Sequence, residues 1–217
     1  MKILAFDFSS PSRTVALYAD DRVCGHAVEA GTKESRPLAL VEQVLKAGGV
    51  ERQAVDGLAV GLGPGSYTGI RASIALVQGW QLARETKVIG ISSVECLAAQ
   101  ARAEQVYGRV NVVVDAQREE VYWAIYEISV DGCREIEPLR LATPADVRGK
   151  CGAGEVIIGP EAQRWFPEAQ TLCPDAATVA TLAAARSDWV RGEALEPIYL
   201  RMTNYVKAPP PRSISTL

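Results

Sequence analysis

Short apolar runs separated by polar turns fill the first 30 residues, a pattern typical of strands. Segment 2–8 is almost wholly apolar and carries Asp7 close to its end, which predicts a buried strand. Segments 14–18 and 23–30 flank Asp20 and Asp21, a tight-turn pair. Together these two segments predict a β-hairpin.

From residue 37 onward the apolar positions change to helical spacing. Over 37–47, Leu38, Val41, Val44 and Leu45 fall on one face, and the glycines at 48 and 49 end the helix. The remaining pattern of this half predicts strands at 57–61 and 87–91 and helices at 68–84 and 93–104. A hairpin followed by helix–strand alternation is typical of a mixed sheet covered by helices.

The second half of the chain begins like the first, with an apolar strand at 110–115 that ends in Asp115. Strands at 121–129 and 134–141 follow around the turn pair Asp131–Gly132, and further on we predict helices at 144–149 and 176–190 and a strand at 155–158. Asp7 and Asp115 therefore hold equivalent places in a weak internal repeat. We predict an α/β fold of two lobes, residues 1–107 and 108–217, with a Pro-rich, extended tail from residue 197.

Charge and cysteine content narrow the function. The 217 residues carry a net charge of −3, whereas a protein that grips tRNA alone normally has a basic surface. The five cysteines are odd in number and form no C-x-x-C pair, which argues against a disulfide framework or zinc ribbon. Neither a leader peptide nor a membrane span is predicted, so we expect a cytoplasmic protein without a membrane partner.

A glycine-rich loop, G-L-G-P-G-S-Y-T-G over 61–69, joins a predicted strand to a predicted helix. Such a unit can bind phosphate through free N–H groups at the helix N-terminus. It matches neither the Walker A pattern nor G-x-G-x-x-G, and the alternative is a tight connection that packs the helix on the sheet. The residues placed near a nucleotide by the first alternative are Asp7, Ser9, Ser10, Gly63, Gly65 and Ser66.

Four segments of the chain resemble the TsaB family. They are the opening strand I-L-A-F-D-F-S-S, the loop extended to G-L-G-P-G-S-Y-T-G-I-R, the segment D-A-Q-R-E-E-V-Y-W-A at 115–124 and the ending E-P-I-Y-L-R at 196–201. These segments occur in the family's order and span nearly the whole chain. The resemblance implies two RNase H-like lobes, as in actin-like ATPases and sugar kinases. One departure is Glu34 followed by Ser35, where family members often have His before Ser or Thr.

The resemblance also implies a function. It predicts a non-catalytic subunit that pairs with TsaD, is joined by the ATPase TsaE, and forms a homodimer when alone. The complex transfers threonylcarbamoyl to N6 of adenosine 37 in tRNAs that read codons beginning with A. We therefore expect tRNA contact only through the complex, no cofactor in the isolated chain, and ATP or ADP at most at the complex interface.

A catalytic role for the isolated chain has little support in the sequence. TsaD binds a metal through H-x-x-x-H after the strand that follows its glycine loop; here Ser93-Val-Glu-Cys-Leu97 stands there, and His26 is the only histidine. We expect no metal site and no catalytic residue. The alternative is an ATP-dependent kinase or ATPase acting alone, with Asp7 for magnesium and Ser9 and Ser10 for phosphate, although D-x-S is also a common turn.

Helix 68–84 is apolar on almost every face, so its own sheet can cover only one side. The resemblance implies a bundle made from two helices of each subunit, for which homodimer and heterodimer would compete. The candidate interface side chains are Leu38, Val41, Leu45, Ile70, Ser73, Ile74 and Val77. The pattern cannot separate interface from core, and an interface Val41→Asp variant would block pairing while the monomer stays folded.

Overall fold

A computed structural model describes residues 1–30 and 36–200 as two five-stranded sheets with helices. The first sheet has the order β3-β2-β1-β4-β5, in which β2 pairs antiparallel with β1 and β3, while β1, β4 and β5 run parallel. Its strands are β1 (Ile3–Asp7), β2 (Ser12–Ala19), β3 (Arg22–Ala30), β4 (Gly57–Gly61) and β5 (Lys87–Ile91). The predicted hairpin turns at Asp20 and Asp21, both of which have positive φ.

The second sheet repeats the topology of the first. Its order is β10-β9-β6-β7-β8, so β6 takes the place of β1, with an antiparallel hairpin on one side and a parallel strand on the other. The strands are β6 (Gly108–Asp115), β7 (Val121–Ile128), β8 (Cys133–Ala142), β9 (Val156–Gly159) and β10 (Gln170–Thr171). The predicted α/β fold with an internal repeat is confirmed.

Within the described ranges, five α-helices cover the sheets: α1 (Pro37–Gly48), α2 (Tyr67–Ala83), α3 (Ser93–Ala103), α4 (Pro144–Lys150) and α5 (Ala176–Ala184). Local chemistry fixes several of their ends, as in α4, where Thr143 and Asp146 form a reciprocal capping box. Helix α5 is shorter than the predicted 176–190. The chain leaves the helix so that Val190 can pair with Val88 of β5.

Alternation along β1 divides its side chains between two cores. Leu4 and Phe6 face α1 and α2, whereas Ile3 and Ala5 face α5. Helix α3 packs on β6, β7 and β8 of the second sheet and also against α5. The layers therefore run from α1 and α2 through the first sheet, α5 and α3 to the second sheet, whose outer face carries α4.

The order of the chain and the order of the layers differ at α5. This helix follows all ten strands in sequence, yet it packs on the first sheet. The lobe division at residues 107 and 108 stays a prediction. In the described part of the chain, no helix has the length and apolar character that crossing a membrane requires.

Candidate functional site

Asp7, the last residue of β1, has a completely buried carboxyl group and is followed by the turn into β2. Its Oδ1 accepts hydrogen bonds from the Ser9 amide at 2.9 Å and the Ser9 hydroxyl at 2.6 Å. Its Oδ2 has no hydrogen-bond partner in the described part of the chain. Burial raises the pKa of Asp7 to about 6, against the lowering effect of the Ser9 bonds, and the charge of Asp175 adds to the rise.

The glycine-rich loop rests directly on this turn. The Ser66 amide donates to the Ser9 carbonyl oxygen at 2.6 Å, and the Ser66 hydroxyl caps α2 by accepting from the Gly69 amide at 3.2 Å. A Cβ added at Gly65 would collide with the Ser9 carbonyl oxygen, and one at Gly69 with that of Phe8. These two glycines therefore permit close contact between loop and turn, as the tight-connection alternative requires.

A cleft of about 860 Å³ opens where the strands of both sheets end. The carboxyl ends of parallel strands are the usual place for ligands in α/β proteins. Of the six residues predicted to lie near a nucleotide, Ser9, Ser10, Gly65 and Ser66 line the cleft, whereas Asp7 and Gly63 do not. The cleft also contains side chains that the sequence did not single out for it: Arg13, Glu29, Tyr67, Arg71, Tyr122, Glu161 and Tyr199.

The charges that line the cleft are mixed, with Glu29, Asp115 and Glu161 against Arg13 and Arg71. Arg13 lies 3.7 Å from Glu29, and Asp115 accepts from Arg164 at 2.8 Å and from the Gln117 amide at 2.7 Å. Burial, followed by the charge of Asp115, raises the pKa of Glu161. This balance differs from the basic surroundings that a polyphosphate favours.

Asp7 does not fit the role of a magnesium ligand in this cleft. One carboxylate oxygen is occupied by Ser9, and the other lies so close to Gly61 that a Cβ there would collide with it. The single histidine, His26, also stands outside this turn, with its Nε2 2.8 Å from Asp175 Oδ2. The turn interpretation of D-x-S agrees with these contacts.

Most of the predicted interface residues belong to the core of the chain. Val41, Leu45, Ile70, Ser73, Ile74 and Val77 are all buried, and Leu38 alone among the seven is exposed, at 59%. The buried side chains hold α1 and α2 on the first sheet, so they cannot also face a partner. The residue assignment is therefore corrected for these six positions.

Helix α2 nevertheless has a second, exposed face, as its apolar composition predicts. Small or apolar side chains occupy it at helical spacing, and Leu82 is 89% exposed. We call this surface the α2 face; it consists of Ala72, Ala75, Gly79, Leu82 and Ala83. Leu76 and Trp80 lie partly buried beside it.

Comparison with known proteins agrees with this architecture. Residues 33–189 match the family model described as TsaD: tRNA N6-adenosine threonylcarbamoyltransferase. The solved structure of YeaZ from Pseudomonas aeruginosa is similar with a TM-score of 0.79 and 30% identity, over 92% of this chain and 99% of that one. The fold thus defines a two-lobed α/β protein with the architecture of YeaZ.

Two curated relatives refine the assignment. The tRNA threonylcarbamoyladenosine biosynthesis protein TsaB of Escherichia coli is 37% identical over 134 residues, 61% of this chain. TsaB of Bacillus subtilis is 30% identical over 129 residues, 58% of this chain. The matches span 58% and 56% of these relatives, just over half of their length. The chain belongs to the TsaB family.

Proposed function

We propose that the chain is a non-catalytic subunit in the biosynthesis of threonylcarbamoyladenosine in tRNA, and that it binds and activates a TsaD-type transferase. The α2 face is the observation that carries this proposal. An exposed stripe of small side chains lets another helix approach closely, and Leu82 offers an apolar side chain to bury. The names of the TsaB relatives support the pathway.

The partners follow from the same surface. One α2 face cannot serve two helices at once, so a homodimer and the TsaD heterodimer would compete for it. Leu38 at the start of α1 is a further candidate for this interface, because its side chain is exposed. TsaE would join the assembled heterodimer, and any ATP or ADP would bind at the complex interface.

The geometry of the cleft supports a non-catalytic role. Asp7 lies sealed beneath Ser9, and Asp115 is engaged by Arg164 and Gln117. The two carboxylates at the ends of β1 and β6 therefore make local structural contacts, and among the described residues no group of three or more His, Cys, Asp or Glu side chains offers a position for magnesium. A kinase or ATPase acting alone needs such a position, so the partner role fits better.

A charge on the α2 face should prevent pairing. We expect Leu82→Asp to weaken binding to the TsaD-type protein of the same organism by roughly 30-fold or more, because a central interface side chain is typically worth about 2 kcal/mol. Titration calorimetry on the purified proteins gives the affinity. Reconstituted threonylcarbamoyl transfer should fall in parallel.

Val130→Asp is the matched control, since Val130 is also exposed, at 69%, but lies at the β7–β8 turn. It should pair like the wild type, and circular dichroism should show both variants folded. Equal affinity for wild type and Leu82→Asp would place the interface elsewhere. ATP turnover by the chain alone would favour the kinase or ATPase alternative.

Binding to tRNA should depend on the complex. The net charge of −3 gives no general attraction to a polyanion, so the isolated chain should bind tRNA no more tightly than about 1 µM at physiological salt. Filter binding with and without the TsaD-type partner tests this. Submicromolar affinity of the chain alone would contradict it. The predicted Pro-rich tail carries Arg201, Lys207 and Arg212, which lie outside the described residues.

A further inference from the structure

A buried acid supports the start of the helix that carries the proposed partner surface. We call residues Asp7, Phe8 and Ser9 the β1 seat. Asp7 is fully buried, and its Oδ2 lies against Gly61 without a hydrogen-bond partner in the described part of the chain. The charge of Asp175, at the start of α5, acts on Asp7, and Asp7 in turn acts on the thiols of Cys96 on α3 and Cys173 just before α5. Asp175 is itself paired with His26.

Two kinds of contact join the β1 seat to α2. Ser9 accepts the amide of Ser66, the residue that caps α2, and the first turn of the helix packs on the Phe8 carbonyl through Gly69. A third bond braces the seat from the side, because the Ser93 hydroxyl lies 3.0 Å from the Ser9 hydroxyl. Any shift of Ser9 therefore displaces the loop and the N-terminus of α2.

We infer that Asp7 is a proton-dependent positioning residue for α2, holding the partner surface in its seated position when the carboxyl is neutral. The inference rests on the proposed function insofar as α2 binds a partner. It differs from a metal-binding role, because it requires the carboxyl to be dry and to hold its proton.

Burial favours the neutral form more strongly than the two Ser9 hydrogen bonds favour the ionised one, and the neutral form can keep both bonds. A proton on Oδ2 leaves Oδ1 free to accept both bonds from Ser9. Ionisation instead leaves an uncompensated charge in a dry site, which favours conformations in which the seat opens and water reaches Asp7. The route for water is short, because Ser9 lines the cleft. A pKa of about 6 makes both forms accessible near neutral pH.

Hydrogen exchange in the isolated full chain tests the seat without any partner. After correction for intrinsic exchange, amides over 62–70 should lose protection between about pH 5 and about pH 7.5. Over this range the loss should approach about tenfold, because closing the seat weakens about tenfold per pH unit only up to the pKa of about 6 in the closed form. Asp7→Asn should show equal protection at both values. Asp115→Asn, at the equivalent place in the second sheet, should behave like wild type.

Equal protection of the wild type at both pH values would overturn the inference, as would pH dependence that persists in Asp7→Asn. Ser9→Ala provides a second variant if Asp7→Asn does not fold. This variant lacks the Ser9 hydroxyl and therefore one of the hydrogen bonds that lower the pKa of Asp7. The pH at which half of the protection is lost should therefore be higher than in the wild type. An unchanged midpoint would count against the inference.

Binding of the TsaD-type partner should depend on the protonation state of Asp7. Because linkage is reciprocal, binding that locks α2 in its seat should weaken as pH rises through about 6 in the wild type and stay constant in Asp7→Asn. Calorimetry with the TsaD-type protein across this range measures it. Pairing at every pH without pH dependence overturns the inference alone. No pairing at any pH overturns the proposed function, and hydrogen exchange then decides the inference.

Discussion

Asp7→Asn should gain about 2 to 3 kcal/mol of stability relative to the wild type between about pH 4 and about pH 7.5. The pKa of Asp7 rises from 3.8 in a free carboxyl to about 6 in the fold, chiefly by burial. A raised folded-state pKa means that stability is fully present below about pH 4 and is lost as the pH passes 6. Asparagine carries no charge at any of these values, so it avoids this loss.

Urea unfolding of both proteins at several pH values measures the difference between their free energies of unfolding. Taking the difference cancels the contributions of the other titrating groups, which the two proteins share. Asp21→Asn is the matched control, because Asp21 is exposed in the β2–β3 turn and its replacement changes the net charge equally. This control should shift stability by less than about 0.5 kcal/mol at every pH. A constant difference between Asp7→Asn and wild type would show that Asp7 ionises as easily in the folded chain as in the unfolded one.

Much of the fold can be predicted from short-range patterns in the sequence. The turn pairs Asp20–Asp21 and Asp131–Gly132 mark the two hairpins, and the shared placement of Asp7 and Asp115 reveals the repeat that the two sheet orders confirm. These features depend on alternation and turn chemistry, which are local. Helix α5 was predicted too long because its end depends on a distant pairing, that of Val190 with β5.

The division between core and surface could not be predicted in the same way. Helix α2 is apolar on several faces, so periodicity leaves its orientation open, and contacts with β1 and β4 decide which side is buried. The role of Asp7 was open for a related reason. The letters D-x-S fit both a magnesium site and a turn, and only the approach of Gly61 and the loop shows that the carboxyl is sealed.

The same distinction between core and surface makes Val41→Asp a severe substitution. Val41 was a candidate interface position, and its charged variant was expected to fold and fail only in pairing. The structure corrects this expectation, because Val41 is completely buried between α1 and the first sheet. A carboxylate there would replace a fully buried apolar side chain, so we expect a loss of at least about 4 kcal/mol, enough to unfold a marginally stable domain.

Leu38→Asp supplies the comparison on the same helix, three residues away. Leu38 is 59% exposed, so this variant should lose less than about 1 kcal/mol and keep its helical circular dichroism. Thermal melts of the two variants and the wild type separate the cases, since only Val41→Asp should lack a cooperative transition or melt far below the wild type. If Val41→Asp melts with Leu38→Asp, then α1 does not hold its buried face against the first sheet in solution. The α1 side of the partner surface would then have to be redrawn to include Val41.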